Sequence, residues 1–269
     1  MIEDTFFGND HQQTLLRRGR ALFDLLSDDS RLTYYGRTVG LLRPTPESGA
    51  LLDRLIALQG ASTYADVALE DADALQTHIE AQGYAVTRYA CWSGGETALD
   101  AARAILARHD LPKGITAHWI DQDAPDAHLE ALADVALGSG VLPLSASVLR
   151  GQIKPGLGLV ALDENGAAAS CAAASSFAHT DDAHRGGEAW WGMLATATPY
   201  RGQKLALVLG AMALLKMHDR FGFSQFMTGV QSGNAASEMV CTRMGLRLQD
   251  RAILTVVDPT ALPGGKMTS

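Results

Sequence analysis

The stretch Ala195-Thr196-Ala197-Thr198-Pro199-Tyr200-Arg201-Gly202-Gln203-Lys204-Leu205-Ala206 decides how this chain is read. It has the pattern of a strand end, a tight turn and the first turn of a long apolar helix over 203–220. A helix that opens on Arg-Gly-Gln leaves several backbone N–H groups unpaired at the positive end of a dipole worth about half a charge. Such an end is a seat for a phosphate, and Arg201 sets a fixed cation beside it. Taken alone the turn is weakly specific, because Gly-containing phosphate loops occur on many folds.

A second segment sharpens it. Asn234-Ala235-Ala236-Ser237-Glu238-Met239-Val240-Cys241-Thr242-Arg243-Met244-Gly245-Leu246 reads as a short helix, with Asn234 as its N-cap and Gly245 just past its C-terminus. The ordered pair resembles the acetyl-CoA-binding core of the GNAT family of N-acyltransferases. In that family Arg/Gln-x-x-Gly-x-Gly/Ala follows the fourth strand, the place held here by Arg201 through Ala206. Asn-x-x-Ala/Ser and then Gly-Phe/Leu come later, matched by Asn234, Ser237, Gly245 and Leu246. The resemblance implies acetyl-CoA as co-substrate. It places against that molecule the backbone of Leu194, Ala195 and Thr196, the turn Arg201, Gly202, Gln203, Lys204, Leu205 and Ala206, and Asn234.

Two residues depart from the family pattern. Lys204 stands at the central motif glycine, where a missing Cβ normally lets the backbone approach the pyrophosphate. Cys241 stands where a tyrosine frequently protonates the departing thiolate in that family. Cofactor binding tolerates these changes better than the catalytic assignment does.

The order of elements after Ile115 fits a complete domain of this type. Strands are expected at 115–120, 158–162, 168–177, 189–197, 225–230 and 251–257, with helices over 125–137, 203–220 and from Asn234. Asp163-Glu164-Asn165-Gly166 is a hairpin signal between two of the strands. Upstream, helices are expected over 14–26, 51–58, 71–81 and 97–108, and strands over 33–42 and 85–92. The fold class expected is therefore α/β (α+β), a mixed, mostly antiparallel sheet flanked by helices. Residues 1–113 form an N-terminal α/β domain, either a degenerate GNAT-like half or an acceptor-side cap; 114–258 form the acetyl-CoA-binding domain; 259–269 form a tail.

Composition bounds the partners. The chain has 269 residues, 47% apolar and 19% charged, with a net charge of −8. That charge argues against a nucleic-acid surface and serves solubility. Cys91, Cys171 and Cys241 lie far apart without metal-ligand spacing, which points to a reducing cytoplasm. The most apolar run, 205–215, is too short to cross a bilayer, and no signal peptide is visible. Neither a nucleic acid nor a membrane is expected as a partner; a homodimer is left open.

Acyl transfer to an amine needs a held thioester carbonyl, a neutral amine and a leaving thiolate. Strand alternation puts Glu188, Trp190, Gly192, Leu194 and Thr196 on one face. Glu188 is the candidate base, acting through a water, and the plain alternative is a surface carboxylate at a strand end. Of Trp190 and Trp191, one is expected at the acceptor site, assigned to Trp190, and one in the core; core packing is the plain alternative for either. Cys241 is either a weak donor to the leaving thiolate or a buried small apolar residue. His179, Asp181, Asp182 and His184 read as a solvated loop, and no metal is expected. The reading is a cytoplasmic acetyltransferase that moves an acetyl group from acetyl-CoA to a small-molecule or peptide amine by direct attack. A non-catalytic acyl-CoA-binding or sensing protein is the alternative.

Overall fold

Asp163 closes the hairpin that the sequence marks. Its carboxylate accepts from the N–H groups of Asn165 (2.9 Å) and Ala167 (2.8 Å), and Gly166 adopts φ +82°. The turn joins β6 (Gly156–Leu162) to β7 (Ala168–Ser176), and β8 (Glu188–Thr196) continues antiparallel to β7. The structure, a computed structural model, describes residues 4–262. The expected tail falls mostly on 263–269, outside the described residues, whereas Leu262 is buried against Leu16 and Val257.

The remaining strands are β1 (Leu32–Thr33), β2 (Gly40–Leu41), β3 (Ala61–Ala68), β4 (Ala85–Gly94), β5 (Thr116–Ile120), β9 (Gln225–Val230) and β10 (Arg247–Val257). All ten make one sheet in the order β1-β2-β3-β10-β4-β9-β8-β7-β6-β5. Only β2–β3 and β8–β9 pair in parallel. The helices are α1 (Asp10–Leu26), α2 (Ser48–Gln59), α3 (Leu69–Ala81), α4 (Glu96–Arg108), α5 (Asp126–Gly138), α6 (Ala146–Leu149), α7 (Leu205–Phe221) and α8 (Ala235–Arg243). One apolar layer gathers α4, α7 and α8 with Trp191 and Phe226; another gathers α2, α3, α5 and α6 with Met193 and Leu254. The expected mixed, mostly antiparallel sheet flanked by helices is what the chain forms.

The sheet runs through residues on both sides of 110–114. Strand β10 lies between β3 and β4, and β4 lies between β10 and β9. The succession β2-α2-β3-α3-β4 repeats as β8-α7-β9-α8-β10, each opening with its parallel pair. The order β2-β3-β10 and β4-β9-β8 therefore reads alike from either side of the β10–β4 junction, with each unit lending its last strand to the other. The two units differ past the parallel pair. Beyond the Leu41–Tyr64 pairing, Arg43 Nε donates to Asp66 across the two segments (3.2 Å). Beyond Trp190–Met227, β8 and β9 part.

Two expectations are corrected. Residues 33–42 are not one strand: Gly36 at φ +102° turns the chain between β1 and β2 and carries Arg37 inward, where it is buried. Strand β3 is additional. Its small and polar residues, such as Ser62, Thr63 and Asp66, are buried because it lies inside the sheet, so they show no in-out alternation.

Candidate functional site

Strand β8 is bent by a bulge at its middle. Cys171 faces Ala195 and Ala173 faces Gly192 across the β7–β8 ladder, so one extra residue of β8 is accommodated, and Met193 adopts φ +54°. The Met193 carbonyl accepts from Cys171 Sγ (3.2 Å), and the Ala195 carbonyl accepts from Ser170 Oγ (2.7 Å). The bulge breaks the alternation expected for this strand. Leu194 joins Trp191 on the α7 side, where both approach Gly210, while Met193 and Ala195 pack in the opposite layer. Trp191 is 1% exposed and its Nε1 donates to Gly210 O (2.9 Å), so it is the core indole of the pair.

Where β8 and β9 part, a cavity of about 650 Å³ opens. Leu194, Ala195, Thr196, Arg201, Gly202, Lys204, Leu205, Ala206 and Asn234 all line it; Gln203 does not. At one end lies the turn before α7. The N–H groups of Gly202 through Leu207 find no acceptor among the described residues, and Val208 N is the first to bond back, to Lys204 O (3.0 Å). Arg201, Lys204 and Arg243 bring positive charge to the cavity wall, and no acidic residue stands in the first turn of α7. Lys204 adopts φ +64°. That is the left-handed region where a glycine is at home, so the lysine keeps the turn at a cost of about 1 kcal/mol. Arg201 Nε donates to Thr196 O (3.2 Å), and Asn234 Oδ1 caps α8 by accepting from Ser237 N (3.1 Å). Gly245, at φ +75°, follows α8 as expected.

The other end is built from residues 33–89 together with β8 and β10. Thr33 comes from β1, Tyr35 and Arg37 from the loop between β1 and β2, Thr63 and Ala65 from β3, and Tyr89 from β4. Trp190 stacks on Tyr35 with ring centroids 5.0 Å apart, and the Arg37 guanidinium lies 5.6 Å and 5.7 Å from the two centroids. An acceptor-side cap is one role expected for residues 1–113, but none of these side chains is singled out for it, because nothing in the sequence ties Tyr35 or Arg37 to the C-terminal motifs.

Glu188 lies elsewhere. It is 5% exposed, is absent from the cavity wall and accepts from Arg185 Nη1 at 2.5 Å. Burial pushes its carboxyl up despite that guanidinium. Arg185 Nη2 also donates to Asp66 (2.7 Å), which receives Arg251 Nε (2.7 Å) and Arg43 as well. Arg43 in turn grips Asp182 (2.8 Å), so the loop 179–184 is pinned at Asp182 instead of being solvated throughout. Cys241 does line the cavity, 2% exposed, and burial pushes its thiol up to about 12. It is a neutral thiol at physiological pH. No Asp, Glu or His lines the cavity among the described residues. No group of three or more metal-ligating side chains, and no helix long and apolar enough to cross a membrane, occurs among them either.

No protein-family model and no curated protein matches the chain. Solved structures do. A GCN5-related N-acetyltransferase from Kribbella flavida is similar over 91% of this chain and 95% of its own, with a TM-score of 0.54 and 15% identity. A GCN5-related N-acetyltransferase-like protein from Streptococcus suis is similar over 84% and 82%, with a TM-score of 0.54 and 19% identity. A Drosophila protein is similar over 93% and 91%, with a TM-score of 0.53 and 14% identity. At these identities the likeness is one of architecture, and on that ground the chain has the fold of the GCN5-related N-acetyltransferases.

Proposed function

We propose that the protein is an acetyltransferase, moving an acetyl group from acetyl-CoA to the amine of a small-molecule or peptide acceptor by direct attack in a ternary complex. One observation carries this reading: a single cavity runs from the N–H groups of Gly202 and of Lys204 through Leu207, unpaired among the described residues, and from Arg201, along the parted strand β8, to a second wall made by Tyr35, Arg37 and Trp190. The first end suits a pyrophosphate, by dipole and by fixed cation. The open edge of β8 at Leu194–Thr196 suits a pantetheine arm, whose thioester supplies the activated acyl group. The far end admits the acceptor. Residues 1–113 then serve as the acceptor-side cap, and the Arg43–Asp66 bridge closes the gap in their own parallel pair.

The residues also say what the protein leaves to others. With no carboxylate or imidazole on the wall among the described residues, the amine attacks as the free base and its proton passes to water. Cys241, held neutral, offers the leaving sulfur at most a weak S–H donor. The same base-free wall favours the second reading, an acyl-CoA-binding or sensing protein without turnover.

Incubation with acetyl-CoA and a panel of amines, followed by free-thiol release, separates the two. The expected result is amine-dependent thiol release, with kcat/KM rising with pH toward the acceptor's own pKa and showing no enzymic base below it. Tight acetyl-CoA binding with no thiol release across the panel would favour the sensing reading.

A further inference from the structure

Arg37 is 7% exposed and lines the cavity at the end remote from the phosphate turn. Its guanidinium carries five N–H donors. Among the described residues one acceptor meets them, Leu142 O at 2.5 Å from Nη2, and Nε finds none. The neighbouring Tyr35 and Trp190 rings attract the cation but supply no anionic acceptor.

Other enclosed arginines of this chain are treated differently. Arg20 reaches Asp4 and Asp24, Arg150 reaches Asp126, and Arg185 reaches Asp66 and Glu188. Arg37 has no carboxylate partner among the described residues. A buried cation without an anion is costly, and cost of this kind concentrates where a ligand completes the site. The cavity's charge agrees. Among the described residues its charged lining is Arg37, Arg201, Lys204 and Arg243, all cationic. An acceptor that is only an amine adds a like charge to this wall, whereas one that also carries a carboxylate does not.

We propose that Arg37 is the seat of an acceptor carboxylate, so that the acceptor class is an amino acid or a related amine bearing a carboxylate. The planar fork of Arg37 matches a carboxylate better than a lysine would, and the stacked Tyr35 and Trp190 rings lie beside it. This rests on the acyl-transfer reading above.

The test titrates the full-length protein, saturated with coenzyme A so that no turnover occurs, with L-amino acids and with their C-terminal amides. At least one acid is expected to bind about tenfold or more tightly than its amide. In Arg37→Gln that acid falls to the amide's affinity while the amide is unchanged, a difference that a merely structural arginine would not produce. Equal binding of acid and amide across the panel, no binding by any member, or a preference that persists in Arg37→Gln would overturn the proposal. The wild-type comparison needs no folded variant. Thiol release from acetyl-CoA, read in parallel, separates the two claims. Acid preference without thiol release contradicts acyl transfer and leaves the Arg37 seat standing. Thiol release indifferent to the carboxylate contradicts the Arg37 seat and leaves acyl transfer standing.

Discussion

Asp66 receives Arg43, Arg185 and Arg251 while its own side chain is 5% exposed. Burial alone would raise its carboxyl, but Arg251 and Arg185 more than offset that and hold it below the usual carboxylate range. A depressed folded pKa gives stability that is present above the unfolded value, ~3.9, and is lost as pH falls through the folded value. Asp66→Asn leaves these guanidinium groups short of an anion and should cost about 3 kcal/mol at pH 7. Denaturant melts of both proteins check this. The gap should hold down to about pH 4 and close below it as wild-type Asp66 takes up its proton. At this scale the phosphate turn and the Asn234 cap were legible, because each is a local pattern with its own chemistry. The base at Glu188 was a reading of strand position only. Its partner Arg185 lies nearby in sequence, but Asp66, which completes the pair, comes from a distant strand that no local pattern links to it.

Helix α7 and strand β8 meet at Gly210, and the contact sets how closely the cofactor-side helix approaches the sheet. A Cβ at Gly210 would lie 2.7 Å from Trp191 Cζ2, which is closer than real Cβ contacts, and Trp191 is fully enclosed. Helix propensity favours alanine over glycine by about 1 kcal/mol. Overpacking against an immobile indole runs the other way by about 1–3 kcal/mol and should win, so Gly210→Ala is expected to lower Tm. Thermal unfolding of the variant measures the balance directly. The sequence located α7 within two residues at its start, since the Arg201-Gly202-Gln203 turn followed by a long apolar run is a strong signal. It did not disclose the bulge at Met193, because Gly192-Met193-Leu194 alternates as well in a straight strand as in a bent one. Nor did it disclose β3, whose burial on both sides removes the period of two on which a strand is recognised.

Across the whole molecule, the parts of the cavity come from distant stretches of chain. β4 and β10 each sit among strands of the other unit, so both units shape the space between β8 and β9. Residues 114–258 without β3 and β4 would leave β10 with neither neighbour, an exposed strand with two unpaired edges. Exchange of this kind joins residues far apart in sequence, which is why the mixed sheet was legible and the interleaving was not. The proposed activity depends on the continuity of that cavity, and the α7 turn is where it makes its strongest commitment. Isothermal titration of acetyl-CoA into the wild-type protein and into Arg201→Glu tests it most directly, since Arg201 is exposed and its replacement leaves the core untouched. The expected result is one molecule bound per chain, with Arg201→Glu weakening binding by about 2 kcal/mol, roughly thirtyfold. No binding by the wild-type protein, or equal affinity in the two, would contradict the assignment.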